Sequence, residues 1–423
     1  MFKKTTLKNG LRIITAPQNN TEAVTVLALV GTGSKYETKE ISGISHFLEH
    51  LMFKGTPKRP TPLKVIEPLD KVGGVYNAFT GEEYTGYYTK VAASQLNLAL
   101  DWLSDIYLNP LFPAKEIEKE RGVIIEEINM FLDNPMIYVG EVWKELLYGD
   151  QPAGWDIAGN KKTVSSISKK QISDYKNYHY TAANTVVCVA GNFKETETIE
   201  KIKKYFAKIS VSNSAEKPKV IENQTKPEFL LFSKNTDQTH LYLGVRAYNL
   251  FHPQRYALEL LSVILGGSGM LSSRLFTEVR EKRGLAYYIK TDADLDPDTG
   301  CLLTRAGVDS SKVEEVIKCI LNEYKKISKI KVSEAELKKA KENVKGKLAL
   351  SLEASDVKAT FYAGQEILEK EILSLEELFK RIDKVSVNDI LKVAKDIFQN
   401  KNLNLAMIGP FKDKEKFNKL LKL

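Results

Sequence analysis

The run Val91-Ala92-Ala93-Ser94, where a strand-like segment gives way to a helical one, has a counterpart at Val308-Asp309-Ser310-Ser311, 217 positions on. The helix after it opens with Lys115-Glu116-Ile117 in the first pass and Ala335-Glu336-Leu337 in the second, 220 positions on. Two offsets this close to each other, and to half of 423 residues, indicate one α/β plan used twice. A chain of that length is long for one core and comfortable for two. Val211 to Lys226, with its Ser, Asn, Pro and Lys residues, has the composition of a linker. The expected division is a first domain over 1–210, a linker over 211–226 and a second domain over 227–423.

Within the first pass, Asn9-Gly10 between Thr6-Leu7-Lys8 and Leu11-Arg12-Ile13-Ile14 signals a hairpin. Ala23 to Val30 reads as a buried strand. Ser42 to Phe53 reads as a helix, with Ile44, Phe47, Leu48 and Leu51 at helical spacing and Gly55-Thr56-Pro57 as its stop. Glu83 to Val91 reads as a strand, and Ala93 to Tyr107 and Pro113 to Leu132 as helices.

The net charge of +8, from 62 basic and 54 acidic residues, is spread along the chain without a dense basic block or an aromatic platform. Nucleic acid is therefore not an expected partner. Cys188, Cys301 and Cys319 are far apart, form no CxxC pair and read as buried thiols in a reducing compartment. The N-terminal residues contain no apolar run of signal-peptide length, and Val24 to Val30 is far too short to span a bilayer. A cytoplasmic protein without a membrane span is expected.

The chemistry concentrates in His46-Phe47-Leu48-Glu49-His50. Residues four apart lie on one helix face, so His46 and His50 can turn two imidazoles to one ion. Glu49 lies beside the same ion, better placed to take a proton from a bound water than to complete a tetrahedron. A third ligand is needed, and the helix Pro113 to Leu132 offers Glu116, Glu118, Glu120, Glu126 and Glu127. Glu120 and Glu127, seven apart, are nearly aligned on one face, with Glu126 rotated about 100° from Glu127. Periodicity alone does not choose among them. His179, His240 and His252 have no partner at ligand spacing and read as surface or hydrogen-bonded core residues. Leu265-Gly266-Gly267-Ser268-Gly269-Met270 lacks the spacing of a phosphate loop.

His46 to His50 resembles the inverted zinc motif of the pitrilysin-like (M16, inverzincin) metallopeptidases, including the small two-domain bacterial members related to mitochondrial processing peptidase. Glu120-Arg121-Gly122-Val123-Ile124-Ile125-Glu126-Glu127 resembles that family's second motif. The resemblance implies zinc, one per chain, held by His46, His50 and Glu127, with Glu120 supporting the site and Glu49 as the base. Gly73-Gly74-Val75-Tyr76-Asn77-Ala78-Phe79-Thr80 resembles the family's substrate-binding edge strand, which implies substrate contacts at Asn77, Ala78 and Phe79. Arg280-Glu281-Lys282-Arg283-Gly284-Leu285-Ala286-Tyr287-Tyr288 resembles a distal motif whose Arg280 and Tyr287 would bind substrate and stabilise the oxyanion. Gly154-Trp155-Asp156-Ile157-Ala158-Gly159 resembles a family loop without an assignable role. The implied fold is α+β: two homologous domains, each a mainly antiparallel sheet packed with helices, the LuxS/processing-peptidase-like metallohydrolase fold. The implied activity is zinc endopeptidase action on peptides or unfolded segments inside a closed chamber. A homodimer, or a heterodimer with a paralogue, would build that chamber, with Arg280 and Tyr287 acting in trans. A presequence-type processing peptidase and a catalytically inert partner subunit are the alternative expectations.

Overall fold

The computed structural model describes residues 2–212 and 216–423; residue 1 of the first expected domain and residues 213–215 of the expected linker lie outside them. Eleven strands among the described residues form two sheets. The first comprises β1 (Lys3–Thr6), β2 (Arg12–Pro17), β3 (Ala23–Val30), β4 (Val75–Thr80), β5 (Thr85–Ala92) and β6 (Thr185–Gly191), in the order β1-β2-β6-β3-β5-β4. The second comprises β7 (Glu228–Ser233), β8 (Gln238–Arg246), β9 (Ala286–Leu295), β10 (Gly300–Asp309) and β11 (Leu403–Gly409), in the order β7-β11-β8-β10-β9.

Removing β1 makes the two orders identical, strand for strand. Each sheet is antiparallel apart from one pair, β2 with β6 and β7 with β11. The duplication inferred from two sequence offsets is thus a repeated topology, and the α+β expectation holds. Asn9-Gly10 makes the opening turn, where Gly10 N–H donates to the Leu7 carbonyl at 2.9 Å and Leu11 N–H to Asn9 Oδ1 at 3.2 Å. β3 is buried from Val24 to Val30, as its uninterrupted apolar run requires of a central strand covered on both faces.

The first helices along the chain are α1 (Ile44–Leu51), α2 (Pro62–Asp70), α3 (Leu96–Leu108), α4 (Ala114–Asp133) and α5 (Pro135–Tyr148). α3 lies against β3 and β5. The other face of the first sheet is covered from far along the chain, by the helix Ser355–Leu368. Its Ala359, Tyr362 and Ala363 join a core with Ile14, Leu27, Leu29, Val186, Cys188 and Ala190. The second sheet receives α5, whose Val139, Val142, Trp143 and Leu147 pack with Cys301, Leu303, Ala406 and Ile408.

These two helices make the compact units discontinuous. One unit contains 1–129, 155–218 and 350–374; the other contains 130–154, 219–349 and 375–423. A single cut at 211–226 therefore leaves each sheet without one of its helices. α4 runs from the first unit into the second, and the helix Glu334–Ser351 runs back. No helix among the described residues is long and apolar enough to cross a membrane.

Candidate metal centre

α1 is shorter than its apolar pattern suggests because its ends are set by backbone constraints. Gly43 caps it at φ +96°, where a β-carbon would stand 2.6 Å from the Ala158 carbonyl oxygen. The loop Gly154–Gly159, which had no role by resemblance, thus packs against the start of α1. Glu37 is buried beneath the same turn and accepts N–H bonds from Gly43 at 2.7 Å and Ser45 at 2.8 Å. Its two carboxyl oxygens satisfy donors that the first helical turn leaves open. Eight residues are too few for an independent helix, so packing holds it. Ile44, Ser45, Phe47, Leu48 and Leu51 are buried, leaving His46, Glu49 and His50 on the half-buried face.

α4 brings the carboxylates to that face. Ile117, Glu120, Ile124 and Ile128 are its buried residues, and Arg121 lies over the Phe47 ring at 5.4 Å, linking α4 to α1. Glu118 instead pairs with Arg121 at 3.0 Å, and exposed Glu126 accepts from Asn129 at 3.3 Å. Glu127 turns inward.

His46, His50 and Glu127 present ligand atoms within 4.8 Å of one another. His46 Nε2 is 3.3 Å from His50 Nε2, and Glu127 Oε2 is 3.6 Å from each. Tetrahedral ligands at about 2.0–2.1 Å from zinc are about 3.3 Å apart, so the donor set fits that ion with one position left for water or substrate. Burial, reinforced by the His50 ring, pushes His46 down to about 3, which keeps it in the neutral form that binds metal. Its Nδ1 is buried without a hydrogen-bond partner among the described residues. His50 differs: its Nδ1 faces Glu120 Oε2 at 3.3 Å, and Glu120 Oε1 meets Lys54 Nζ at 2.8 Å. Burial opposes ionisation of Glu120, but hydrogen bonds from His50 and Lys54 prevail and hold it below the usual carboxylate range.

Glu49 Oε2 accepts from Thr80 Oγ1 at 2.5 Å. Burial raises the Glu49 carboxyl above its ordinary value, the Thr80 bond works against this, and the nearby Glu127 charge adds to it. A carboxylate so placed is a stronger base than one in water. Thr80 ends β4, one of the two edge strands of its sheet, and side chains alternate along a strand, so Asn77 and Phe79 point to the face opposite Thr80. The Asn77 side chain is hydrogen-bonded to the Ala78 N–H at 2.9 Å, and the Phe79 ring lies across Gly86.

Arg280 and Tyr287 belong to the second unit. Arg280 lies in a π-helical turn, Phe276–Glu281, with its guanidinium 5.0 Å from the Phe276 ring centre and 5.9 Å from that of Tyr287. Tyr287 is 75% exposed, so the pair offers a cation and a phenol hydroxyl side by side. The lone histidines join no metal set among the described residues. His179 is buried, His240 Nδ1 meets the Tyr288 hydroxyl at 3.1 Å, and His252 stacks on Tyr248. Cys188 and Cys301 are buried free thiols as expected, whereas Cys319 is only half-buried.

Thr80, Lys54 and Glu37 escaped the sequence reading. Lys54 had a usable signal, since His46, His50 and Lys54 recur every four residues. Thr80 and Glu37 meet α1 only through tertiary structure.

Residues 12–160 match the family described as insulinase (peptidase family M16), and residues 166–344 match its companion, the peptidase M16 inactive domain. An uncharacterized zinc protease, YmxG, from Bacillus subtilis is 34% identical over 97% of this chain and 98% of its own length. A protease from Helicobacter pylori has a similar structure, with a TM-score of 0.90 at 25% identity over 97% of this chain and 100% of that one. A chain of complex III2 from Candida albicans shares the fold with a TM-score of 0.84 at 19% identity, covering 100% of both chains. Matched in both halves and along nearly its full length, the chain belongs to peptidase family M16.

Proposed function

We propose that the protein is a zinc-dependent endopeptidase that cleaves extended peptides or unfolded segments. The observation that carries this reading is the convergence of His46, His50 and Glu127 at tetrahedral-edge separations beside the half-buried base Glu49. The zinc relatives support the metal and the reaction class. Zinc held by His46, His50 and Glu127 would supply Lewis acidity toward a water molecule and the scissile carbonyl. Glu49 would take the proton from the attacking water and return it to the leaving amine, while the Thr80 hydroxyl fixes the carboxylate's orientation. The edge strand β4 suits addition of an extended peptide, whose backbone contacts are largely indifferent to side chains. One metal set among the described residues agrees with one zinc per chain.

The Glu49→Gln variant tests the assignment. It should keep its zinc by elemental analysis while turnover of a quenched peptide falls by about 10²–10⁴-fold. A chelator should abolish activity of the unaltered protein, and added zinc should restore it. Undiminished hydrolysis by Glu49→Gln would defeat the reading.

A further inference from the structure

We propose, resting on the metal-site reading above, that Lys54 is a positioning residue for zinc: it clamps Glu120, and Glu120 in turn fixes the His50 ring as a ligand. The chain of contacts is continuous. Lys54 Nζ lies 2.8 Å from Glu120 Oε1, Glu120 Oε2 lies 3.3 Å from His50 Nδ1, and His50 Nε2 faces His46 and Glu127. The Glu120 side chain is only 5% exposed and that of Lys54 21%, so the pair is shielded in a way that a surface ion pair is not. A carboxylate that accepts the Nδ1 proton of a ligating imidazole sets its tautomer and ring angle. Lys54 removes one of the alternatives open to that carboxylate, rotation away toward solvent.

The backbone around Lys54 is built to hold it there. Its N–H donates to the Leu51 carbonyl at 3.1 Å as α1 ends. Gly55 follows at φ +139°, where a β-carbon would stand 2.9 Å from the Pro60 carbonyl oxygen. Thr56 and Arg59 exchange backbone hydrogen bonds of 2.8 and 3.2 Å, and the Thr56 hydroxyl donates to Asp105 at 2.7 Å. Arg59 binds both Asp105 and Asp101. The lysine stem thus rises from a pinned turn and not from a free loop.

An ammonium close to a dication is by itself unfavourable, because like charges repel. This gives the proposal a test of sign. If Lys54 acted only through its charge, removing it would tighten zinc binding. If it acts through Glu120, removing it must weaken zinc binding. Zinc affinity of the full chain is measured by competition with a chromogenic chelator, independently of turnover. Loss of an outer-shell partner costs roughly 10–100-fold in affinity, which is the range expected for Glu120→Gln. Lys54→Met, one contact further out, should weaken binding by roughly tenfold at most but measurably. Lys54→Gln should move affinity in the same direction, and Lys54→Arg should restore most of it. In a Glu120→Gln background, Lys54→Met should leave affinity unchanged or tighten it. That reversal separates positioning from general damage to the fold, which would weaken both backgrounds alike. Equal weakening in both, or tighter binding by Lys54→Met alone, would overturn the clamp. A parent chain that binds no zinc would overturn the metal-site reading itself, whereas a zinc-binding parent indifferent to Lys54→Met and Lys54→Gln overturns only the clamp.

Discussion

Glu37 directs one oxygen to the Gly43 N–H and the other to the Ser45 N–H, so the helix that carries both histidines begins on a buried carboxyl group. Burial pushes this group up to about 8, although the two backbone donors pull the other way. The folded chain therefore binds the Glu37 proton more tightly than the unfolded chain, where it titrates near 4.5. Its contribution to stability is complete below that value and is lost as pH rises through about 8. Melting temperatures of the chelator-treated protein should consequently favour the parent over Glu37→Gln at pH 5 and less so at pH 9. A difference that stays constant across this interval would refute the linkage. Sequence reaches the site unevenly at this scale. His46, Glu49 and His50 are legible because helical spacing alone places them together. Glu127 needs the motif resemblance, since one-helix geometry does not separate it from Glu126; only the approach of α1 to α4 does that. Glu37 and Thr80 belong to contacts between segments, where local periodicity carries no information, whereas Lys54 continues the four-residue spacing of His46 and His50.

At the scale of elements, the strands legible in the sequence are those of the first sheet that obey a local rule, while Glu83 to Val91 is displaced from the observed β5 by a residue or two at each end. β3 matches its apolar run residue for residue, and the Asn9-Gly10 turn joins β1 to β2. The owner of each helix was not readable. α5 lies within the first pass in sequence yet packs on the second sheet, while the helix Ser355–Leu368 lies within the second pass and packs on the first. Both are amphipathic, and an apolar face does not announce which sheet it will cover. The energetic consequence is large. α5 buries four side chains, Val139, Val142, Trp143 and Leu147, at about 1.5–3 kcal/mol each, a sum on the scale of a whole domain's net stability of about 5–15 kcal/mol. Chains comprising 1–218 and 219–423 should therefore each fail to melt cooperatively when produced alone, since each lacks the helix its sheet requires. Produced together, they should copurify and recover a cooperative transition. Two independently folded halves, each with a sharp calorimetric transition, would contradict this account.

For the whole molecule, the repeated sheet order implies two units of common plan with unequal chemistry. The first carries the metal set, and the second carries Arg280 beside an exposed Tyr287. The match of residues 166–344 to a domain described as inactive is in keeping with the single metal set found among the described residues. A cation and a phenol have no evident role in maintaining the second sheet, but they suit a peptide backbone and a developing oxyanion. The dimeric chamber that the family resemblance implies would assign them to the metal centre of the partner chain. Mixing two inactive variants under exchange conditions tests this, because symmetry dictates the yield. In a trans arrangement, a dimer of His50→Ala with Arg280→Ala regenerates one complete site: the metal half from one chain and the arginine half from the other. Random exchange at equal amounts makes half of the dimers mixed, so about a quarter of the parental activity should return. Sites completed within one chain leave every site broken, and no activity should return. Elution at monomer size throughout active fractions would dispose of the chamber as well, while leaving zinc binding by His46, His50 and Glu127 to be judged on its own measurement.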